Sequence, residues 1–213
     1  MDYNLGTLRR DVAYDLLDDE EFDPELIDRA INRAQREIFN QYELTFQEKI
    51  FSGTVPAGYT LFKYQPDIAL AQDHVVTSPD GVQRSIRDLY MDFTEFNKMF
   101  PTPANNEPGP IGRWTSYGGN IILSAPTDQD YKLDIYYIKK PAKLLADTDV
   151  PEIPEEFSEL LTLGAYIRIA KRNEDLDLAQ MALQDYAGML NRLVDRYGMR
   201  KTGPVQMKKT NRR

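Results

Sequence analysis

Side chains able to carry out acid–base, nucleophilic or metal chemistry are few in this sequence. It contains a single histidine, His74, and no cysteine. Thiolate ligands, cysteine nucleophiles and disulfides are therefore excluded, and no histidine metal cluster or Ser-His-Asp triad with a spare partner is visible. His74 precedes Val75 and Val76, a setting typical of a β-strand rather than of a catalytic base. We expect no catalytic residue, no metal site and no cofactor.

Carboxylates are abundant but not arranged as a site. The 34 acidic residues produce close pairs by chance, and none stands in an apolar setting that would raise its pKa for acid catalysis. The acidic run at residues 18–23 lacks the alternating ligands and central glycine of a calcium loop. We expect its last residue, Asp23, to cap a helix that begins at Pro24. Neither a Walker loop nor a GxGxxG motif is present, so no nucleotide site is predicted.

The C-terminal segment, residues 198–213, is a strongly basic motif. It holds six basic residues and no acidic one, whereas residues 1–197 hold the other 20 basic and all 34 acidic residues. Such a block buries too little apolar surface to order alone, so a partner would have to order it. It is predicted either to dock on a partner or to be a solvated terminus without a role. The docking residues would be Arg200, Lys201, Lys208, Lys209, Arg212 and Arg213.

Composition limits the class of protein. The net charge of −8 disfavours general binding to nucleic acid by the folded part. The acidic N-terminus differs from a signal peptide, and no apolar run reaches the roughly 18 residues that a membrane span needs. We expect a soluble intracellular product without a membrane partner.

Periodicity predicts helices at both ends of the chain. Apolar residues at spacings of three and four predict helices near residues 7–17 and 24–43, a mostly apolar helix from Pro154, and a fourth helix over 176–197 that forms a hairpin with the third. The fourth helix carries its apolar residues at Leu176, Ala179, Leu183, Tyr186, Leu190, Leu193 and Tyr197.

Alternation and turn residues predict strands between residues 45 and 138. The Gly118-Gly119 pair between residues 114–117 and 120–123 predicts a hairpin, and the alternation over 131–138 predicts the next strand of a half-buried meander. Residues 78–81 predict a tight turn, residues 92–100 a short helix, and the proline-rich segment 100–112 an exposed excursion. The predicted fold class is α+β: a helical bundle from the N- and C-terminal helices with a central antiparallel β-rich insertion.

Tyrosine is frequent, with 13 residues, and has three possible uses. Base stacking requires cationic neighbours that these tyrosines lack. Tyrosine also suits subunit interfaces, because it combines apolar area with a polar tip. We predict Tyr136, Tyr186 and Tyr197 at an interface, while burial of both faces of the 131–138 strand by the chain's own helices remains the alternative.

The order and spacing of several segments resemble the head-to-tail adaptor family of tailed bacteriophages. The segments are residues 30–38 (AINRAQREI), 58–61 (GYTL), 114–126 with the Gly-Gly hairpin, 131–141, 154–157 (PEEF) and 163–165 (LGA). The resemblance covers about residues 24–197. It implies a structural virion protein without enzymatic activity, a podovirus-type connector of the neck, which forms a ring between the portal and the tail tube or nozzle.

The resemblance also assigns parts and partners. It implies a helical bundle domain (1–43 plus 139–197) that packs on neighbouring subunits, a β-rich domain (44–138) that faces the tail, and a portal-docking tail (198–213). The partners would be the portal protein, the tail tube or nozzle protein, eleven further copies in a dodecamer, and packaged DNA passing through the channel. The location would be the virion neck, after virus assembly in the host cytoplasm. The alternatives are a DNA-binding module that uses the basic arm, and a cell-wall hydrolase with two catalytic carboxylates.

Overall fold

The computed structural model describes residues 3–15 and 23–199, which divide into two compact units. The first, the helical unit, comprises the described residues up to Phe46 and from Lys143 onward; the second, the β unit, is Gln47–Ala142. The described α-helices are α1 (Leu5–Asp15), α2 (Pro24–Gln41), α3 (Phe93–Met99), α4 (Glu159–Arg172) and α5 (Leu176–Tyr197). The strands are β1 (Glu48–Val55), β2 (Leu61–Lys63), β3 (Ile68–Thr77), β4 (Gln83–Ser85), β5 (Trp114–Tyr117), β6 (Asn120–Leu123) and β7 (Tyr131–Lys139). The α+β class is confirmed, with helices at both ends of the described chain.

Helix α2 begins as its sequence predicts. The Asp23 carboxylate accepts a hydrogen bond from the Glu25 backbone N–H at 3.0 Å, and Pro24 occupies the first turn, where its missing N–H removes no helical hydrogen bond. The buried face of α2 carries the predicted apolar stripe, which includes Ile27, Ile31 and Ile38. This stripe packs against α1, α4 and α5 in the core of the helical unit.

Two predicted helix starts were displaced. Helix α1 begins at Leu5, because Asn4 accepts a hydrogen bond from the Thr7 backbone N–H at 3.0 Å and so caps an earlier turn than expected. The third long helix does not begin at Pro154. A 3-10 helix, Glu155–Phe157, precedes it and α4 begins at Glu159, a tighter turn of the kind common at helix N-termini.

A glycine permits close packing of α4 on α2. A Cβ atom added at Gly164 would lie 2.8 Å from the Cβ of Ala34 and 3.4 Å from the ring of Tyr186. Two helix backbones approach closely only where side chains are small, so the Gly164–Ala34 contact sets the spacing of α2 and α4.

The β unit contains two antiparallel sheets. The larger has the order β1-β7-β3-β4 and the smaller the order β2-β6-β5. Their buried residues form one core, which includes Val76, Trp114, Ile121, Leu133 and Ile135. The indole N–H of Trp114 donates to the Ile86 carbonyl at 2.7 Å, so the buried polar atom of this side chain is satisfied.

The predicted β-hairpins are confirmed, but the meander is not. Gly118 and Gly119 both have positive φ, at 59° and 77°, as the two-residue turn between β5 and β6 requires. The turn at residues 78–81 connects β3 to β4. Strand β7, however, does not pair with β6, because β2 and β5 already occupy both edges of that strand; β7 lies between β1 and β3 in the larger sheet.

Candidate functional site

His74 lies in β3 and is held as a structural residue. Its side chain is 5 % exposed, its Nε2 lies 2.7 Å from the Tyr64 hydroxyl, and its ring centroid lies 4.5 Å from that of Trp114. Burial lowers the pKa of His74 to about 4, against an opposing contribution from Asp73. The imidazole is therefore neutral at neutral pH and packs within an aromatic cluster.

The carboxylates of the described chain do not converge. Among residues 3–15 and 23–199, no group of three or more His, Asp and Glu side chains is placed to hold a metal ion. Asp23 acts as the α2 cap, and residues 18–22 of the acidic run lie outside the described residues. In the same described part of the chain, no helix is long and apolar enough to cross a membrane.

The β unit has a cleft of about 750 Å³ whose lining is basic and aromatic. Its cations come from the end of β2, the loop after β4 and the segment after β7, and its aromatic side chains come from neighbouring strands and loops. No acidic side chain lines it. The residues that define this character are Lys63, Arg87, Lys140, Tyr64, Tyr90 and Trp114. Such a lining suits a partner that carries carboxylates or other anions.

The first half of α5 exposes large apolar side chains. Leu176 is 66 % and Met181 69 % exposed, and Leu178 and Leu183 are also exposed. The buried residues of α5 are instead Ala179, Ala182, Leu190 and Leu193. At 100° per residue, Leu176 and Leu183 share one side of α5, whereas Leu178 and Met181 lie about 140–160° around the helix on another side. Exposed apolar side chains that lie together on a folded protein mark interaction surfaces. We call these four residues, on two sides of the helix, the α5 apolar surface.

Sequence periodicity missed this surface. It assigned Leu176 and Leu183 to the buried stripe, but the buried stripe of α5 follows Ala179 and Ala182 at this end of the helix. Leu178 and Met181 are the signal that could have revealed the surface, because they stand off the stripe by about 100° or more at 100° per residue.

The three predicted interface tyrosines occupy different environments. Tyr136 is 39 % exposed on the face of β7 opposite to the core of the β unit. Tyr186 is half-buried, and burial raises the pKa of its hydroxyl. Tyr197 packs against Phe46 and Phe157 and donates to the Glu156 carboxylate at 2.8 Å. Tyr186 and Tyr197 thus already contact the core of the helical unit.

The basic segment leaves α5 from an anchored position. Gly198 forms an antiparallel bridge with Leu44, and the Met199 backbone N–H donates to the Glu43 carbonyl at 3.1 Å. The six predicted docking residues lie outside the described residues: Arg200, Lys201, Lys208, Lys209, Arg212 and Arg213.

Comparison with protein families gives one assignment that spans nearly the whole chain. The model of the SU10 adaptor protein family matches residues 3–208, which includes both units and the first part of the basic segment. No curated protein matches the chain. The matched family is a structural one and not a known class of enzyme. The chain belongs to the SU10 adaptor protein family and is a bacteriophage structural adaptor protein.

Proposed function

We propose that this protein forms an oligomeric ring in the virion neck that joins the portal to the tail and continues the DNA channel. Membership of an adaptor family implies contacts with portal and tail proteins. The observation that supports ring formation is the α5 apolar surface. Its residues Leu176, Leu178, Met181 and Leu183 are exposed to solvent in the single chain. Such a surface is stable in water when a neighbouring subunit covers it.

The free energy available from burying these side chains supports an assembly role. Complete burial of a Leu or Met side chain contributes about 1.5–3 kcal/mol, and these side chains are about half to two-thirds exposed. One neighbouring subunit can cover only one side of α5, so burial of the two exposed side chains there would contribute on the order of 2–3 kcal/mol per contact, before the cost of association. That contribution is too weak to hold a free pair of subunits tightly. It is sufficient when many subunits bind side by side on one template, because their contacts act together.

A ring built from one kind of subunit uses heterologous contacts, in which one face of a subunit meets a different face of the next. Such contacts close only at a suitable rotation, and a preformed portal ring would provide that rotation. In this arrangement the number of copies follows the portal, for which the family resemblance suggests twelve. The helical unit, with Tyr186 and Tyr197, would form the subunit contacts, and Tyr136 would extend them into the β unit.

The β unit is proposed to face the tail, and its basic and aromatic cleft provides a surface for an acidic segment of a tail protein. The basic segment at residues 198–213 is proposed to dock on the portal. The helical unit anchors the start of this segment at Gly198 and Met199.

The test is a mass measurement of the purified protein alone and after mixing with the portal ring, by native mass spectrometry. The expected result is a species of the 24.6 kDa chain that adds to the portal in a fixed multiple. Truncation after Met199 keeps the two anchoring contacts and should abolish portal binding without changing the helical circular dichroism. A full-length control with the six cations replaced by Gln should behave in the same way. Normal portal binding by both variants would refute the docking role.

The +6 charge of the basic segment also supports a second candidate, DNA binding through a basic arm. Neutralisation of several phosphates would make the affinity for duplex DNA fall steeply with salt. Negligible binding at low salt would dismiss this candidate.

A further inference from the structure

A cavity of about 200 Å³ opens beside one of the two apolar sides of α5. Leu183 and Tyr186 of α5 line it, together with Gly164, Ile167 and Lys171 of α4. We call this cavity the Gly164 pocket. Since Leu183 remains half-exposed, the chain itself covers the apolar lining of the pocket only in part.

The missing side chain of Gly164 leaves space between α4 and α5. A Cβ atom added there would lie 3.4 Å from the ring of Tyr186, and both Gly164 and Ile167 are buried at the base of the pocket. A cavity of about 150 Å³ already holds a benzene molecule. The Gly164 pocket therefore has room for one Leu or Met side chain.

The other side of α5 projects apolar side chains with a carboxylate among them. Leu178, Met181 and Asp185 follow one another at spacings of three and four, so they lie on one side of the helix. All three side chains are exposed. We call these three residues the outer side of α5.

The outer side and the pocket have complementary charge. Residues 176–191 of α5 contain two acidic residues and no basic one. At the pocket, Glu37 pairs with Arg168, whereas Lys171 has no ion pair within the described residues. Asp185 also has none in this part of the chain. Each side thus offers one uncompensated charge, of opposite sign, next to its apolar side chains.

We propose that the outer side of α5 in one copy packs into the Gly164 pocket of the next copy, with Met181 in the pocket and Asp185 paired with Lys171. The inference rests on the proposed ring, and it names the two faces that meet in the heterologous contact. Every copy then inserts its outer side into one neighbour and receives the outer side of the other.

Helix geometry requires that the second face belong to another copy. The outer side and the Leu183 side lie about 140–160° apart around α5, which is one continuous helix from Leu176 to Tyr197. Two sides of one helix cannot contact each other, so the outer side reaches a Gly164 pocket only in a neighbouring chain. A contact between two outer sides would bring the Asp185 carboxylates together, and like charges at an interface are unfavourable.

The angle between the two sides also fits a ring. In a closed ring of twelve copies, the directions from one subunit to its two neighbours differ by about 150°. The two sides of α5 are separated by about this angle around the helix axis. The proposed contact therefore places α5 roughly parallel to the axis of the ring.

The first test uses cysteine cross-linking, because the chain has no native cysteine. Met181→Cys and Leu183→Cys are made in separate full-length chains, mixed in equal amounts, assembled on the portal and oxidised. We expect a cross-linked dimer from the mixture and none from either variant alone. The matched control is Leu145→Cys, an exposed position of the helical unit, which should not cross-link to Met181→Cys.

The possible outcomes separate this contact from the ring itself. Cross-linking of Met181→Cys with itself would show that two outer sides meet and would overturn the proposal. Assembly in a fixed multiple without a cross-link in the mixture would overturn this contact and leave the ring. Failure of the wild type to assemble on the portal would contradict the ring. The same cross-link in concentrated free protein would then still support the contact between copies, and its absence would overturn the contact too.

The second test reverses the proposed ion pair. Lys171→Glu alone and Asp185→Lys alone should each raise the protein concentration needed for assembly on the portal at least tenfold, because like charges then meet at every contact. An equal mixture of the two variants should assemble as the wild type does, since alternating copies restore opposite charges at each contact. Lys98→Glu, at an exposed cation of the β unit, is the control and should assemble normally. If the mixture assembles no better than the single variants, the proposed pairing is wrong.

Discussion

The packing of α2 on α4 can be tested with one substitution at two glycines. Gly164 and Gly188 both lie inside helices, and in each case Ala should gain about 0.5–1 kcal/mol from helix propensity. At Gly188 the new methyl group meets no atom within 4 Å, whereas at Gly164 it would lie 2.8 Å from the Cβ of Ala34. Since that Cβ is fixed to the α2 backbone, the helices must separate, and overpacking of this kind costs about 1–3 kcal/mol.

We therefore expect the free energy of unfolding of Gly164→Ala to lie about 1–3 kcal/mol below that of Gly188→Ala, with Gly188→Ala above the wild type. Urea unfolding followed by helical circular dichroism measures this difference. The fluorescence of Trp114, the single tryptophan, monitors the β unit and should not change. Ala34→Gly should destabilise the Gly164→Ala variant less than the wild type, because it relieves the contact. Equal stability of the two Gly→Ala variants would refute the close-packing argument.

Two further predictions concern assembly and pH. Replacement of Leu176 and Met181 by Ser should weaken assembly on the portal at least tenfold. The free energy of unfolding of the free chain should stay within about 0.5 kcal/mol of the wild type, because both side chains are mostly exposed. Replacement of the equally exposed Leu145 by Ser is the control, and unchanged assembly of the double variant would exclude the α5 apolar surface as a subunit contact. The pKa of His74 is lowered from 6.5 to about 4 in the folded chain, so its contribution to stability is complete above pH 6.5 and is lost as the pH falls toward 4. The β unit should lose roughly 2–3 kcal/mol over this range, and His74→Gln should flatten the dependence when urea unfolding is followed by Trp114 fluorescence at several pH values; identical pH profiles for the two proteins would contradict the assignment to His74.

Local signals predicted the elements whose geometry is set within a few residues. Asp23 and Pro24 identify the start of α2 because a capping carboxylate and a proline act on the adjacent turn. Gly118 and Gly119 identify the β5–β6 turn because positive φ is accessible to glycine without steric cost. Strand β7 was also recognised, but its partners were not, since alternation shows which residues are buried and not which strand lies beside them.

The charged and apolar surfaces of the chain divide in the same way. The charge of the basic segment and of the acidic run at residues 18–23 can be read directly, because both are contiguous in the chain. The cations that line the groove between α2 and α4 cannot be read in this way, because Arg33 and Arg172 are 139 positions apart and become neighbours only when α4 packs on α2. The α5 apolar surface was concealed for a related reason: periodicity finds an apolar face, but only the packed bundle shows how much of that face the neighbouring helices cover.

By itself, the sequence determined the helices, most strands, the glycine turns and the separation of charge between the chain and its C-terminal segment. These features depend on backbone sterics, capping and side-chain periodicity, which act over a few residues. Only the tertiary structure decided the sheet order, the exposure of Leu176 and Met181, and the grouping of five cations around one groove. Those features depend on contacts between residues distant in the chain, which form only when the helices and sheets pack.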